Sequence, residues 1–97
     1  VASGALDAKV REFALACKSL GVPVYVHIGY EFNGFWNGYK PATFIPAFRR
    51  VTQILREEQV NAATVWCASL APDKPGLAIR DFYPGDDVVD WWGVDLF

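Results

Sequence analysis

The sequence contains no methionine, a single histidine and only two cysteines in 97 residues. Cys17 and Cys67 lie too far apart to match the ligand spacing of a structural zinc site, and the pair does not establish a disulfide. Free cysteines are most often buried as small apolar residues, and we expect that here. Cysteine usage therefore leaves the cellular compartment open.

An excess of basic residues is also missing, since nine Lys and Arg stand against eleven Asp and Glu, for a net charge of −2. Without a basic patch we expect no nucleic-acid partner. No apolar run approaches the about 20 residues that a membrane helix needs, and no basic-then-apolar signal segment opens the chain. The chain begins at Val1 and stops at Phe97 inside an apolar run, so we expect both ends to be cuts in a longer protein.

What the sequence does contain is apolar: 53% of residues are hydrophobic and 15% are aromatic, which is enough for one small domain. Three- and four-residue spacing of apolar side chains predicts helices over 4–20 and 43–58. Alternation and β-branched residues predict strands over 22–30, 62–69 and 91–97. Strands alternating with helices are typical of βαβ units, so the fold class is α/β with a parallel sheet.

Local signals predict where the two helices begin and end. Ser3 and Thr43 are good N-caps, and Gly21 followed by Pro23 stops the first helix. Pro46 is placed in the first turn of the second helix, where proline is tolerated. The predicted buried stripe of the first helix comprises Leu6, Val10, Phe13, Cys17 and Leu20. The predicted solvated face of the second comprises Arg49, Arg50, Arg56 and Glu57.

The first strand has two unlike faces, because successive side chains of a strand point to opposite sides. The aliphatic face comprises Val22, Val24, Val26 and Ile28. The other comprises Tyr25, His27, Gly29 and Glu31. A carboxylate ending a buried strand, followed at once by amides and aromatic rings, indicates a sugar-handling site. His27 and Glu31 are too far apart along a strand to chelate one ion, so we expect no metal and no cofactor.

Two parallel architectures compete for this pattern. A nucleotide-binding open sheet needs a glycine-rich turn that approaches a phosphate closely. Here Phe35 and Trp36 interrupt the candidate turn. In a (β/α)8 TIM barrel, functional residues gather at the carboxyl ends of the strands, where Glu31, Trp66 to Ser69 and Asp95 fall. A complete barrel needs about 250 residues, so residues 1–97 are predicted to form a single fragment of a barrel. We expect this fragment to need the rest of the barrel to fold fully.

Several segments in order resemble the family 26 glycoside hydrolases, the β-mannanase type in the clan of retaining (β/α)8 glycosidases. They read VHIGYEFNGFWNGY, FIPAFRRV, VW and YPGDDVVDWWGVDLF. The family's acid/base glutamate motif corresponds to Tyr30-Glu31-Phe32-Asn33-Gly34 and its Tyr-Pro-Gly-Asp turn to residues 83–86. Tyr30 replaces the usual histidine and Phe97 replaces a tyrosine that supports the nucleophile.

The resemblance implies a secreted O-glycosyl hydrolase of the endo-β-mannanase type, acting on a β-mannan-like polysaccharide with Glu31 as acid/base. The nucleophilic glutamate of the clan ends the seventh strand, outside this chain, so we expect the isolated chain to be inactive. The substrate-binding candidates are Asn33, Trp36, Tyr39, Trp66 and Asp95. Each has a plainer alternative: an ion pair for Glu31, loop or core packing for the amide and the rings, a strand end for Asp95. A non-catalytic carbohydrate-binding barrel and a purely structural fragment are the competing functions.

Overall fold

Three parallel strands and two helices make up a computed structural model that describes residues 4, 6–29, 31–32, 40–69 and 79–95. The elements in chain order are α1 (Asp7–Ser19), β1 (Val24–His27), α2 (Pro41–Glu57), β2 (Ala62–Ser69), a 3₁₀ turn (Ile79–Phe82) and β3 (Trp91–Asp95). The α/β fragment that the sequence predicts is confirmed at this level.

The sheet has the order β1-β2-β3, with β2 in the centre and both pairings parallel. The register aligns Val24 with Ala62 and Val65 with Trp91. Before β3, the side-chain oxygen Oδ2 of Asp90 accepts a hydrogen bond from the Thr64 backbone N–H at 2.8 Å. This contact holds the start of β3 against β2 and so helps to set the register.

The first strand is shorter than predicted. It ends at His27 rather than at residue 30, because Gly29 adopts a positive φ of 62° and turns the chain. Glu31 also has a positive φ, 52°, so it does not continue the alternation of the strand. The β2 bounds agree with the prediction, whereas residues 96 and 97 of the predicted third strand lie outside the described residues.

The start of α2 also differs from the prediction. Lys40 in an extended conformation is the N-cap and Pro41 is the first helical residue, a position where its missing N–H is not needed. Thr43 does not cap; its hydroxyl donates to the Lys40 carbonyl oxygen at 3.2 Å. Pro46 therefore lies inside the helix rather than in its first turn. The predicted cap Ser3 lies outside the described residues, and α1 begins after Leu6.

The core lies between the sheet and the helices and has two parts. The smaller cluster joins β1 to both helices; its buried members are Ala14, Val26, Ile54 and Leu55. The larger lies beneath α2 and the 3₁₀ turn; its buried members are Phe32, Phe44, Phe48, Trp66, Ala68, Phe82 and Val88. The helices thus cover one face of the sheet, and the opposite face carries the exposed rings of Tyr25 and Trp91.

The predicted apolar stripe of α1 is wrong for most of its members. Leu6, Phe13 and Leu20 are 48%, 48% and 63% exposed, and Ala14 is the buried residue of the helix. Apolar periodicity identifies the apolar face of a helix, but that face is buried only where another element packs against it. In the part of the chain that the structure describes, α1 packs chiefly against α2.

The solvated face predicted for α2 is confirmed for Arg49, Arg56 and Glu57, which are exposed, whereas Arg50 is half-buried. The arginines of this face also bind other elements. Arg49 donates to the Asp87 carboxylate at 2.7 Å and to the Pro84 carbonyl oxygen at 2.9 Å. Its hydrogen bonds lower the pKa of Asp87. Arg50 pairs with Asp7 of α1. These contacts tie α1 and the Pro-Gly-Asp-Asp turn to α2.

We expect Gly29→Ala to destabilise the fold by about 2–4 kcal/mol. An added Cβ would lie 2.4 Å from Cε2 of Phe44, and overpacking adds to the cost of a positive φ. Gly21→Ala is the matched control, because Gly21 has a φ of 69° with nothing within 4 Å of the added carbon. Urea unfolding of both variants should therefore separate the free-energy cost of the positive φ from the cost of the steric clash. Equal losses of unfolding free energy in the two variants would contradict the clash with Phe44.

Candidate active site

The carboxyl ends of the three strands place two acidic residues at one edge of the sheet. Ser69 and Asp95 are aligned at the ends of β2 and β3, and Glu31 follows the end of β1. In parallel sheets bound ligands commonly lie at this edge. The structure thus places two of the predicted site residues, Glu31 and Asp95, at one edge.

The position of Glu31 is fixed by a backbone hydrogen bond and by the burial of the adjacent residue Phe32. Its N–H donates to the Cys67 carbonyl oxygen at 3.1 Å, so the turn is fastened to the end of β2. Phe32 is fully buried, and its ring stacks on Trp66 with centroids 4.7 Å apart. Glu31 as a whole residue is only 9% exposed. A non-glycine residue with positive φ is costly and is often found at functional sites.

Cys67 contacts both acidic residues, Glu31 through its backbone and Asp95 through its thiol. Its Sγ donates to Oδ1 of Asp95 at 3.7 Å. Burial first, then the negative charge of Asp95 and the hydrogen bond to it and, more weakly, the charge of Glu31 together raise the pKa of this thiol to about 11. Both acids therefore act on the same buried atom. Two carboxyl groups in one poorly solvated place are the arrangement that general acid/base chemistry uses.

Trp66 does not join this group. It is 6% exposed and lies on the helix-covered side of the sheet, with Phe32, Tyr83 and Trp92 around it. Its Nε1–H donates to the Phe82 carbonyl oxygen at 3.2 Å. The ring of Trp66 therefore packs in the core, because the even-numbered residues of β2 face α2 while Cys67 faces the other way. Its contact with a sugar stays a prediction.

The other predicted binding residues, Asn33, Trp36 and Tyr39, lie outside the described residues. Tyr30 and Phe97, where the sequence departs from the family pattern, lie outside them too. For these residues the sequence expectations stay as predictions.

Two residues of the site were missed by sequence reasoning. Phe32 anchors the turn that carries Glu31. Cys67 contacts Glu31, which follows β1, and Asp95 at the end of β3. A signal for Phe32 was present, since an apolar ring between Glu31 and Asn33 has no reason to face solvent. For Cys67 the decisive fact is the register that brings it beside β3.

Among the residues that the structure describes, no group of three or more His, Cys, Asp or Glu side chains is arranged to hold a metal ion. His27 lies near the end of β1, on the face opposite the helices. Within the same residues, no helix is long and apolar enough to cross a membrane.

Two curated proteins are similar to this chain over its whole length. A β-1,3-xylanase from Alcaligenes sp. is 37% identical over 100 residues, which cover 100% of this chain and 21% of that protein. The β-1,3-xylanase TXYA from Vibrio sp. is 37% identical over 100 residues, covering 22% of its length. The chain thus spans about a fifth of these relatives. No protein-family model matches it. The similarity supports a glycoside hydrolase and does not single out family 26.

Proposed function

We propose that this chain supplies the acid/base part of a glycoside hydrolase active site that cleaves a β-linked polysaccharide, with Glu31 as the acid/base. The observation that carries the proposal is the burial of Glu31 beside Cys67, near Asp95, at the carboxyl edge of a parallel sheet. The similarity to proteins named β-1,3-xylanases favours β-1,3-xylan over β-mannan as the first substrate to test.

In the proposed reaction Glu31 acts twice. It first donates its proton to the leaving glycosidic oxygen, and afterwards takes a proton from the water that releases the sugar. A retaining enzyme needs a second carboxylate about 5–5.5 Å away as nucleophile. By resemblance that group is a glutamate outside this chain, so the chain alone is expected to be inactive.

Exposed rings support a place in a larger barrel. Tyr25 and Trp91 are 69% and 58% exposed on the face of the sheet that the helices leave open. Large exposed apolar patches usually mark a surface that something else covers. A (β/α)8 barrel would enclose this face by closing the sheet with further strands. By the same resemblance, we propose that the complete protein is secreted.

The test is hydrolysis by the complete protein of four polysaccharides: β-1,3-xylan, β-1,4-xylan, β-mannan and mixed-linkage glucan. We expect reducing sugar to be released fastest from β-1,3-xylan, and the first product seen by NMR to keep the β configuration. The chain of residues 1–97 is the control without the nucleophile. Binding of xylan without hydrolysis would favour the carbohydrate-binding alternative, and an inverted first product would exclude the retaining mechanism.

A further inference from the structure

We infer that an apolar groove beside β3 is covered, in the complete protein, by a helix from the segment that follows this chain. The groove has a volume of about 510 Å³ and lies on the helix-covered side of the sheet. The lining residues that carry the argument are Trp66, Ile79, Arg80, Tyr83, Trp92 and Val94. The inference rests on the proposal that the chain is part of a larger barrel, but it does not depend on catalysis.

Two large apolar side chains of β3 line this groove and remain open to solvent. Trp92 is 70% exposed and Val94 is 56% exposed. The parallel register aligns Trp92 with Trp66 and places Val94 two residues farther along on the same side of the sheet. These side chains therefore extend the apolar layer beneath α2 towards the edge of the sheet. Exposed apolar patches of this kind mark a surface that something else covers.

The order of the strands indicates what covers the groove. The strands β1, β2 and β3 are neighbours in chain order, and both pairings are parallel. Crossovers between parallel strands are right-handed in almost all proteins, so strands added in one direction place every crossover on the same face of the sheet. Both α2 and the 3₁₀ turn, which belong to the first two crossovers, pack on the helix-covered face. A further crossover in the same direction would leave the end of β3 and pass over the groove.

The length of the relatives provides for such a segment. The chain covers 21% and 22% of the two β-1,3-xylanases, so a complete protein of that size has room for further crossovers. A crossover between parallel strands takes a dozen or more residues and is usually a helix. We expect the covering helix to present apolar side chains to Trp92 and Val94. Arg80 is the charged residue of the lining, and an acidic side chain on the helix would complement it.

A sugar fits this groove poorly, although aromatic rings line it. Pyranose hydroxyls need hydrogen-bond partners when they leave water. The indole N–H of Trp66 already donates to the Phe82 carbonyl oxygen at 3.2 Å. The hydroxyl of Tyr83 donates to the Asp86 carboxylate. The lining therefore offers mainly apolar surface, which suits the apolar stripe of a helix.

The first test measures whether the groove is covered in the complete protein. Val94→Cys is treated with a maleimide reagent, and the modified peptide is quantified by mass spectrometry. We expect the introduced thiol to react at least about 100-fold more slowly in the native protein than in urea, because it is exposed only when the covering helix opens. Glu12→Cys, on an exposed position of α1, is the control, and its two rates should differ by less than about tenfold. Equal native reactivity of the two variants would overturn the inference.

The second test identifies the occupant. In the complete protein, Trp92 is replaced by the photoreactive residue p-benzoylphenylalanine, the sample is irradiated, and cross-linked peptides are identified by mass spectrometry. We expect position 92 to be joined to a segment within about 40 residues after position 97, the span of one βαβ unit. A cross-link to a second copy, or one confined to residues 1–97, would overturn the inference. Protection of the Val94→Cys thiol only when a β-1,3-xylo-oligosaccharide is added would overturn it as well.

Neither test measures hydrolysis, so the two proposals can fail separately. A wild-type protein that has a covered groove but hydrolyses none of the polysaccharides would refute the proposed function and leave this inference intact. An active enzyme whose Val94→Cys thiol reacts freely would overturn this inference and leave the proposed function intact.

Discussion

In the complete protein, Glu31→Gln is expected to lower kcat/KM on β-1,3-xylan by about 10²- to 10⁴-fold, the range that general acid/base catalysis contributes. Glutamine has a similar shape but cannot donate a proton to the leaving oxygen. The turn should persist, because the backbone hydrogen bond to Cys67 and the burial of Phe32 do not involve the carboxyl group. The measurement is initial-rate hydrolysis with folding checked by circular dichroism.

The design separates acid catalysis from a general loss of the site. An aryl glycoside with a good leaving group needs no proton for its departure, so its first step should be reduced far less than xylan hydrolysis. Glu12→Gln, on an exposed position of α1, is the matched control and should leave both rates unchanged. Xylan turnover by Glu31→Gln within twofold of wild type would remove Glu31 from the mechanism.

Phe32→Ala is expected to cost about 3–5 kcal/mol of unfolding free energy, the range for truncation of a buried phenylalanine. Phe32 is 0% exposed, and its ring lies 4.7 Å from Trp66, 5.2 Å from Phe44 and 5.3 Å from Phe82. The cavity would therefore open in the middle of the larger core cluster. Urea unfolding followed by tryptophan fluorescence measures the loss.

The matched variant is Phe32→Leu, which keeps most of the apolar volume and should cost only about 1–1.5 kcal/mol. Because Phe32 anchors the turn, we also expect Phe32→Ala to lower kcat under conditions in which the variant is still folded, whereas Phe32→Leu should not. If both variants lost the same free energy, the ring would not be the anchor that its contacts indicate.

Local signals predicted the central strand well and the first strand less well. Residues 62–69 form a mostly apolar run, with the β-branched Thr64 and Val65 near its centre, that the observed β2 reproduces. The predicted first strand is too long because the alternation of side-chain types continues in the sequence through Gly29 to Glu31. In the structure the chain has already turned at Gly29. A period of two cannot detect a change of φ at one residue.

The candidate site was predicted in part. Glu31 and Asp95 were placed at strand ends from the sequence, and the structure brings both to Cys67. Trp66 was assigned to the site because it lies near the end of its strand, yet its side chain faces the helices. The pattern assigns side chains to two faces of a strand, but which face meets the helices depends on the packing.

The α/β class, the alternation of helices and strands, and the acidic residues near the strand ends could all be predicted from the sequence, because they follow from local periodicity and short-range backbone preferences. The register of β3 on β2, the burial of Phe32 and the contacts of Cys67 with Glu31 and Asp95 come from tertiary packing. These depend on contacts between residues about 30 positions apart, and such contacts form only when the sheet and helices pack together.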